Sequence, residues 1–243
     1  MTKTCRILVV LAVALAVAHS EAQAQSPTAP PSLGFVNINV GAQPSRRSIE
    51  KSQTLSVFGE TATIFSSQEI RNGAIFDVSG GYRVWHGLAV AIGFSSFSKA
   101  SDAAVVASIP NPLVFDQPLT VTSTQAGLTH SEKGVHLQAV WFIPATEKID
   151  VALSIGPSFI KVTQELVSAV TIASGTQNIN IAVGSEEGTA KGVNVGIDGT
   201  YLFTPRVGAG IFLRYAGGSV DLPSAPGLKV GGFQAGIGAR VRF

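Results

Sequence analysis

The segment 231–243, GGFQAGIGARVRF, alternates strictly and stops on an aromatic residue. Phe233, Ala235, Ile237, Ala239, Val241 and Phe243 share one parity, while Gln234, Gly236, Gly238, Arg240 and Arg242 share the other. Successive side chains of a strand point to opposite faces, so this pattern predicts a strand with one apolar face and one small or cationic face. A sheet built from such strands needs an apolar medium on one side and a polar filling on the other.

Three further segments repeat one design: alternating strand, aromatic end, short polar turn, alternating strand. They are 80–94, turning at Trp85-His86-Gly87; 137–159, turning around Pro144 to Lys148; and 198–218, turning at Thr204-Pro205-Arg206. Pro144 and Pro205 stand at strand ends, where a missing N–H does not break the ladder. Long connections alternate with these tight turns, from about Gln43 to Asn72, Lys99 to Ser131, Gln164 to Ala190 and Gly218 to Lys229. Three short turns and four long loops predict eight strands, with cores near 34–42, 73–84, 87–98, 132–143, 149–162, 191–203, 206–217 and 230–243. An even number of antiparallel strands closes into an up-and-down barrel without free edges. Within the loops, 54–66 and 166–183 carry period-2 patterns and read as strands prolonged beyond the barrel, the latter turning at Gly175-Thr176-Gln177. The proline-bearing 99–131 connection reads as irregular.

The N-terminus predicts a secretory signal over 1–24. Lys3 and Arg6 precede an apolar run from Ile7 to Ala18, and Ala22-Gln23-Ala24 supplies a cleavage site. That run is shorter than the roughly 20 residues of a spanning helix. Residues 25–32 (QSPTAPPS) read as a flexible Pro-rich periplasmic tail, and 33–243 as the barrel domain. Removing Lys3, Arg6 and Glu21 from 17 basic and 15 acidic residues leaves 15 and 14, so no basic face for nucleic acid is expected. The single cysteine, Cys5, leaves with the signal, which excludes a disulfide framework. Charged residues are only 13% and hydrophobic residues 45% of the chain, against about 25% charged in soluble domains. An apolar average without spanning helices fits strands that show half their residues to lipid.

With Phe243 outward, Tyr82, Trp85, Trp141, Tyr201 and Phe203 gather beside the tight turns, as a periplasmic aromatic girdle would. Phe94, Phe159, Tyr215 and Phe233 are candidates for the opposite girdle. The inward parity collects Asn37, Asn39, Asp77, Ser79, Arg83, His136, Gln138, Ser154, Asn194, Asp198, Thr200, Arg214, Gln234, Arg240 and Arg242, with glycines between them. Buried charges must pair, so Asp77 and Asp198 are expected to meet inward arginines, chiefly Arg214, Arg240 and Arg83. This lumen network of Asp77, Arg83, His136, Asp198, Arg214, Arg240 and Arg242 reads as a plug, with a narrow pore as the alternative.

Catalytic signals are weak. His86 falls in a turn, and His136 points inward toward the plug. His130-Ser131 lies near a loop base, where a hydrolytic pair would need an orienting acid that the spacing does not supply. No HExxH, CxxC, GxSxG or P-loop pattern occurs, so neither an enzyme, a cofactor nor a metal site is expected. Glu186-Glu187 reads as a solvated loop tip.

Signal, turn–loop alternation, girdles and terminal Phe243 together resemble the small eight-stranded bacterial outer-membrane β-barrels of the OmpA membrane domain, OmpX and OmpW type. The resemblance implies residence in the outer membrane with both termini periplasmic. It implies contact with outer-membrane lipids and lipopolysaccharide, and Phe243 as the signal read by the barrel-assembly machinery. It carries no binding residues across, so any extracellular ligand is left open. Three functions stay in play: a structural or surface-interaction barrel, a narrow channel or transporter for ions or small hydrophobic molecules, and a lipid-modifying enzyme. A secreted soluble β-sandwich is the competing fold.

Overall fold

The computed structural model describes residues 32–57, 59–111, 113–172 and 179–243. The signal, most of the Pro-rich tail and the expected Gly175–Gln177 turn lie outside those residues. Ten strands are described: β1 (Gly34–Gln43), β2 (Arg47–Val57), β3 (Glu60–Ile70), β4 (Gly73–Trp85), β5 (Leu88–Asn111), β6 (Val114–Pro144), β7 (Ile149–Ile172), β8 (Ile179–Leu202), β9 (Val207–Leu222) and β10 (Ala225–Arg242).

Eight of them form the expected antiparallel ring. β1 pairs with β10 on one side and β4 on the other, and the ring continues through β5, β6, β7, β8 and β9 back to β10. At the closure Phe35 faces Arg242, and Gly34 and Phe243 exchange backbone hydrogen bonds of 2.7 and 2.9 Å. The tight turns fall where their residues require them. His86 takes a left-handed φ of 43° between β4 and β5. Thr146 and Thr204 hydroxyls each accept from two following backbone N–H groups in the other two turns.

The long connections match expectation in one place and differ in another. Residues 54–66 prolong the β1–β4 pair, as expected, after breaks at 44–46 and 71–72. They belong to β2 and β3, a hairpin that turns at Gly59 (φ 81°) and resumes the pairing of Gln43 with Gly73 at Arg47 with Ile70. β3 takes the place of β4 beside β5, from Thr63 opposite Ser108 to Gln68 opposite Ala103. The 99–131 connection is ordered strand rather than irregular loop, paired from Lys99↔His130 to Asn111↔Val114. Pro110 and Pro118 fall at the register shift near Ile109 and Asn111, where the ladder is already broken. β5 to β8 run to 24, 31, 24 and 24 residues, whereas about 9–11 suffice to cross a bilayer.

Each strand keeps its parity but changes chemistry along its length. On β9, Val207, Ala209, Ile211, Leu213 and Tyr215 are outward and exposed, followed by Ser219 and Asp221. Inward on the same strand lie Gly208, Gly210, Phe212 and Arg214, followed by buried Val220 and Leu222. The ring is therefore apolar outside and polar inside near the termini, and the reverse at its far end. There, Ile49 and Ile70 of the hairpin bury against Ile160, Val162, Val220 and Val230. A second apolar cluster joins Ile64, Val105, Ile109, Leu128 and Val170.

Candidate functional site

The interior near the termini is a continuous polar network. Asp77 and Arg214 meet as expected, with Nη2 donating to Oδ2 at 2.7 Å. Arg240 reaches Asp198 through Nε and Nη2, and its Nη1 donates to Asn39 Oδ1 at 2.6 Å. Asn39 in turn donates to Asp77 Oδ1 at 2.9 Å, joining the two ion pairs. Space for these long side chains comes from glycine: a Cβ on Gly210 would stand 2.7 Å from Arg240 Nε. Arg240 is only 2% exposed, so a single unpaired guanidinium here would carry a heavy desolvation cost.

Arg83 departs from expectation. It reaches neither Asp77 nor Asp198; its guanidinium lies 4.4 Å from the centre of the Phe142 ring. Arg83 sits close to the tight-turn mouth, beyond the reach of carboxylates placed higher in the lumen. Arg242 shares that aromatic face and pairs with Asp150, a partner that the sequence reading missed. Phe35 packs edge-on against Phe142 with ring centres 5.2 Å apart, making a small apolar floor with Val140 and Ala152.

Above the first pairs the network climbs toward the hairpin. Arg214 Nε donates to Gln234, Gln234 to Gln43, and Gln43 to Glu132 Oε2, at 2.8, 2.8 and 3.0 Å. Glu132 also receives Arg47 from the start of the hairpin and lies 2.9 Å from His130 Nε2. His130 continues to Gln164 at 2.6 Å, and Gln164 donates to Gln68 on the hairpin's second strand. Gly231 has a left-handed φ of 75°; its N–H donates to Glu132 and its carbonyl accepts from Gln43 and Arg47. A side chain there would meet the Ala216 carbonyl, so only glycine fits.

This upper cluster was absent from the sequence reading. Its signal was parity, since His130 and Glu132 continue the inward register of His136 and Gln138. An acid therefore does stand against His130, contrary to the reading of an unoriented pair. Ser131 lies on the opposite strand face, and His130 is fully buried, so the two do not form a nucleophile–base pair. His136 hydrogen-bonds with Ser95 and Ser158 at 2.8 and 2.7 Å, and Asn194 links Ser158 to Gln138.

Every buried side-chain polar atom among the described residues has a partner. A cavity of about 60 Å³ remains beside Asn37, Asp77, Asp198 and Arg214, and one of about 10 Å³ lies under the hairpin beside Ile49 and Lys51. A water needs about 10–15 Å³ measured this way, so these spaces hold a few waters and one at most. Among the described residues no group of three or more His, Cys, Asp or Glu is placed to hold a metal.

The outward face is the complement. Tyr82, Trp85, Trp141, Tyr201, Phe203 and Phe243 are exposed beside the tight turns, and Phe94, Phe159, Tyr215 and Phe233 are exposed farther along the barrel. Beyond that second belt the outward residues turn polar, with Lys161 and Glu187 paired at 2.8 Å. Hydrogen bonds from Lys161 and Thr163 hold the Glu187 carboxyl below its ordinary range.

This is the fold of an outer-membrane β-barrel. The outer-membrane protease OmpT of Escherichia coli superposes with a TM-score of 0.50 at 9% identity, over 92% of this chain and 100% of that one. The outer-membrane protein OprG of Pseudomonas aeruginosa gives 0.49 at 7% identity, over 87% and 96%. Neisserial surface protein A gives 0.43 at 14% identity, over 86% and 97%. Such identities speak to fold alone. No protein-family model and no curated protein matches the sequence.

Proposed function

We propose that this chain is an outer-membrane barrel with a closed lumen, whose function lies on the strands projecting from the membrane. The observation that carries this reading is the unbroken polar network from Asp198 to Gln68, overlaid by the apolar cap of the β2–β3 hairpin. Ions need a chain of water, and here the lumen positions are occupied by side chains bonded to one another. The termini and tight turns face the periplasm, and β5 to β8 extend outward from the cell. The exposed apolar belt contacts lipid, and the polar outer surface beyond it meets lipopolysaccharide headgroups and solvent. Catalysis is not part of this proposal, since His130 and Ser131 face opposite sides of the strand.

Conductance of the refolded protein in a planar bilayer tests the closed lumen. A silent, folded barrel is the expected result. Discrete reproducible steps would overturn it and make Arg214 and Arg240 selectivity elements of a channel. Protease cleavage within β2–β3 on intact cells, with the tight turns protected, is expected from the orientation.

A further inference from the structure

Above the ring, β2, β3, β5 and β6 form one sheet whose inner face is buried in the apolar cap and whose outer face is free. Register places its outward residues in straight rows. Thr54 stands opposite Thr63, Thr63 opposite Ser108, and Ser108 opposite Thr120, so four hydroxyl side chains cross four strands in line. The next row holds Ser52, Phe65, Val106 and Thr122, and the one below holds Glu50, Ser67, Ala104 and Thr124. With strands about 4.8 Å apart, each row spans roughly 14 Å. Phe65 is 42% exposed at the centre of the face, and Val106 beside it 39%.

The chemistry of this face is narrow. Across the three rows there is one carboxylate, Glu50, and no lysine or arginine. Glu69 is engaged by Arg71, and Asp102 by the Gly127 N–H. A polyanion such as a sulfated glycan or a phosphorylated lipid core would find no cation here. A protein partner of ordinary composition would want an apolar core enriched in aromatics and arginine, whereas this face is dominated by Ser and Thr. A flat array of hydroxyls, each donor and acceptor, around one exposed aromatic ring complements a ligand that is itself uncharged, hydroxyl-rich and extended. The opposite wall carries Lys161 and Glu187 and lacks such an array.

We infer that the outer face of β2–β3–β5–β6 is a docking surface for an uncharged polysaccharide, with Phe65 against a sugar ring and the Thr54–Thr63–Ser108–Thr120 row bonded to its hydroxyls. The inference rests on the surface-interaction reading above and supplies its partner class. The ring offers a C–H-rich sugar face an apolar contact, and the side-chain hydroxyls exchange with those of the ligand at little desolvation cost.

The test is affinity electrophoresis of the refolded full chain in gels containing hydroxyethyl cellulose, a galactomannan or dextran, with heparin and dextran sulfate as charged comparisons. Retardation by at least one neutral polymer and by neither sulfated one is expected. Phe65→Ser and Thr63→Lys should each weaken binding about tenfold or more, while Lys161→Ala on the other wall leaves it unchanged. Both substituted positions are exposed, and circular dichroism of each variant checks that the barrel has formed. Indifference to all three neutral polymers, preference for a sulfated one, or binding that survives both Phe65→Ser and Thr63→Lys overturns the inference. A silent barrel that ignores neutral polysaccharide sinks this inference alone, whereas a conducting barrel that binds it sinks the closed lumen alone.

Discussion

The half of the barrel near the termini and the half beyond the second aromatic belt use the same strands with opposite polarity. In the first, Ile197, Ile211 and Ile237 face outward, while Asp198, Arg214 and Arg240 are bonded inside. In the second, Thr54, Thr63 and Ser219 face outward, while Ile64, Val105 and Val220 are buried inside. No change of register accompanies the inversion on β9. The surrounding medium explains it. Lipid leaves no hydrophobic gain for an apolar lumen, so the interior is held by hydrogen bonds and ion pairs. Water restores that gain, and the projecting part packs as a soluble sandwich does.

If the halves are held by different forces, they should break differently. The largest effect is expected inside the first. Arg214→Leu strands Asp77 in a site where it is 2% exposed, and should cost about 3–5 kcal/mol in urea unfolding from lipid or detergent. Adding Asp77→Leu should recover much of that loss; an unchanged midpoint in the single variant would dissolve the claim that ion pairs hold the lumen.

A paired test on one strand comes next. Ile211→Lys places a charge on the outward apolar belt and should cost about 2–4 kcal/mol, whereas Ser219→Lys, on the same face beyond the belt, should cost about 0–1 kcal/mol. Equal costs measured in lipid would mean that the polarity boundary has been misplaced.

Between the halves sits the latch of Arg47 on Glu132 and Gly231. Arg47→Gln should cost about 1.5–3 kcal/mol, the scale of hydrogen bonds to charged groups. It should raise amide exchange in β2 and β3 and leave β1, β9 and β10 protected near the termini. Uniform loss of protection across the ring would contradict a boundary between the two halves.

The smallest effect is expected on the exposed surface. A carboxylate with a lowered pKa stabilises the fold above its unfolded pKa and loses that contribution as pH falls. Glu187 is such a group, but both partners of its ion pair stand in water, where a pair of this kind contributes little. Glu187→Gln should leave the unfolding midpoint unchanged at pH 7 and at pH 4; a clear shift at pH 7 alone would show that the wall is not simply solvated.

Parity explains which elements could be read from sequence. The ring strands were legible because each must alternate to satisfy lipid outside and a narrow lumen inside, and the pairing of Asp77 with Arg214 follows from that confinement. The pattern at 54–66 was legible as strands prolonged beyond the ring. The breaks at 44–46 and 71–72 that separate β2 and β3 from β1 and β4 were not, because alternation on either side does not mark them. Glu132 and Asp150 share the inward parity of His136 and Ser154 and were legible as inward acids. Their arginine partners were not, because parity names a face without giving height along the barrel. Arg83 was misassigned for the same reason.

By itself the sequence determined the closed antiparallel ring, the two aromatic belts and the identity of the inward face, because period-2 alternation is a local property of extended chain. Tertiary structure decided how far the strands project, which carboxylate meets which arginine, and how Ile49 and Ile70 of the hairpin pack inward against β7, β9 and β10. Those depend on stagger between strands far apart in sequence. Ion pairs fall off steeply with distance in a packed lumen, so a shift of two residues along one strand separates partners that parity alone would join.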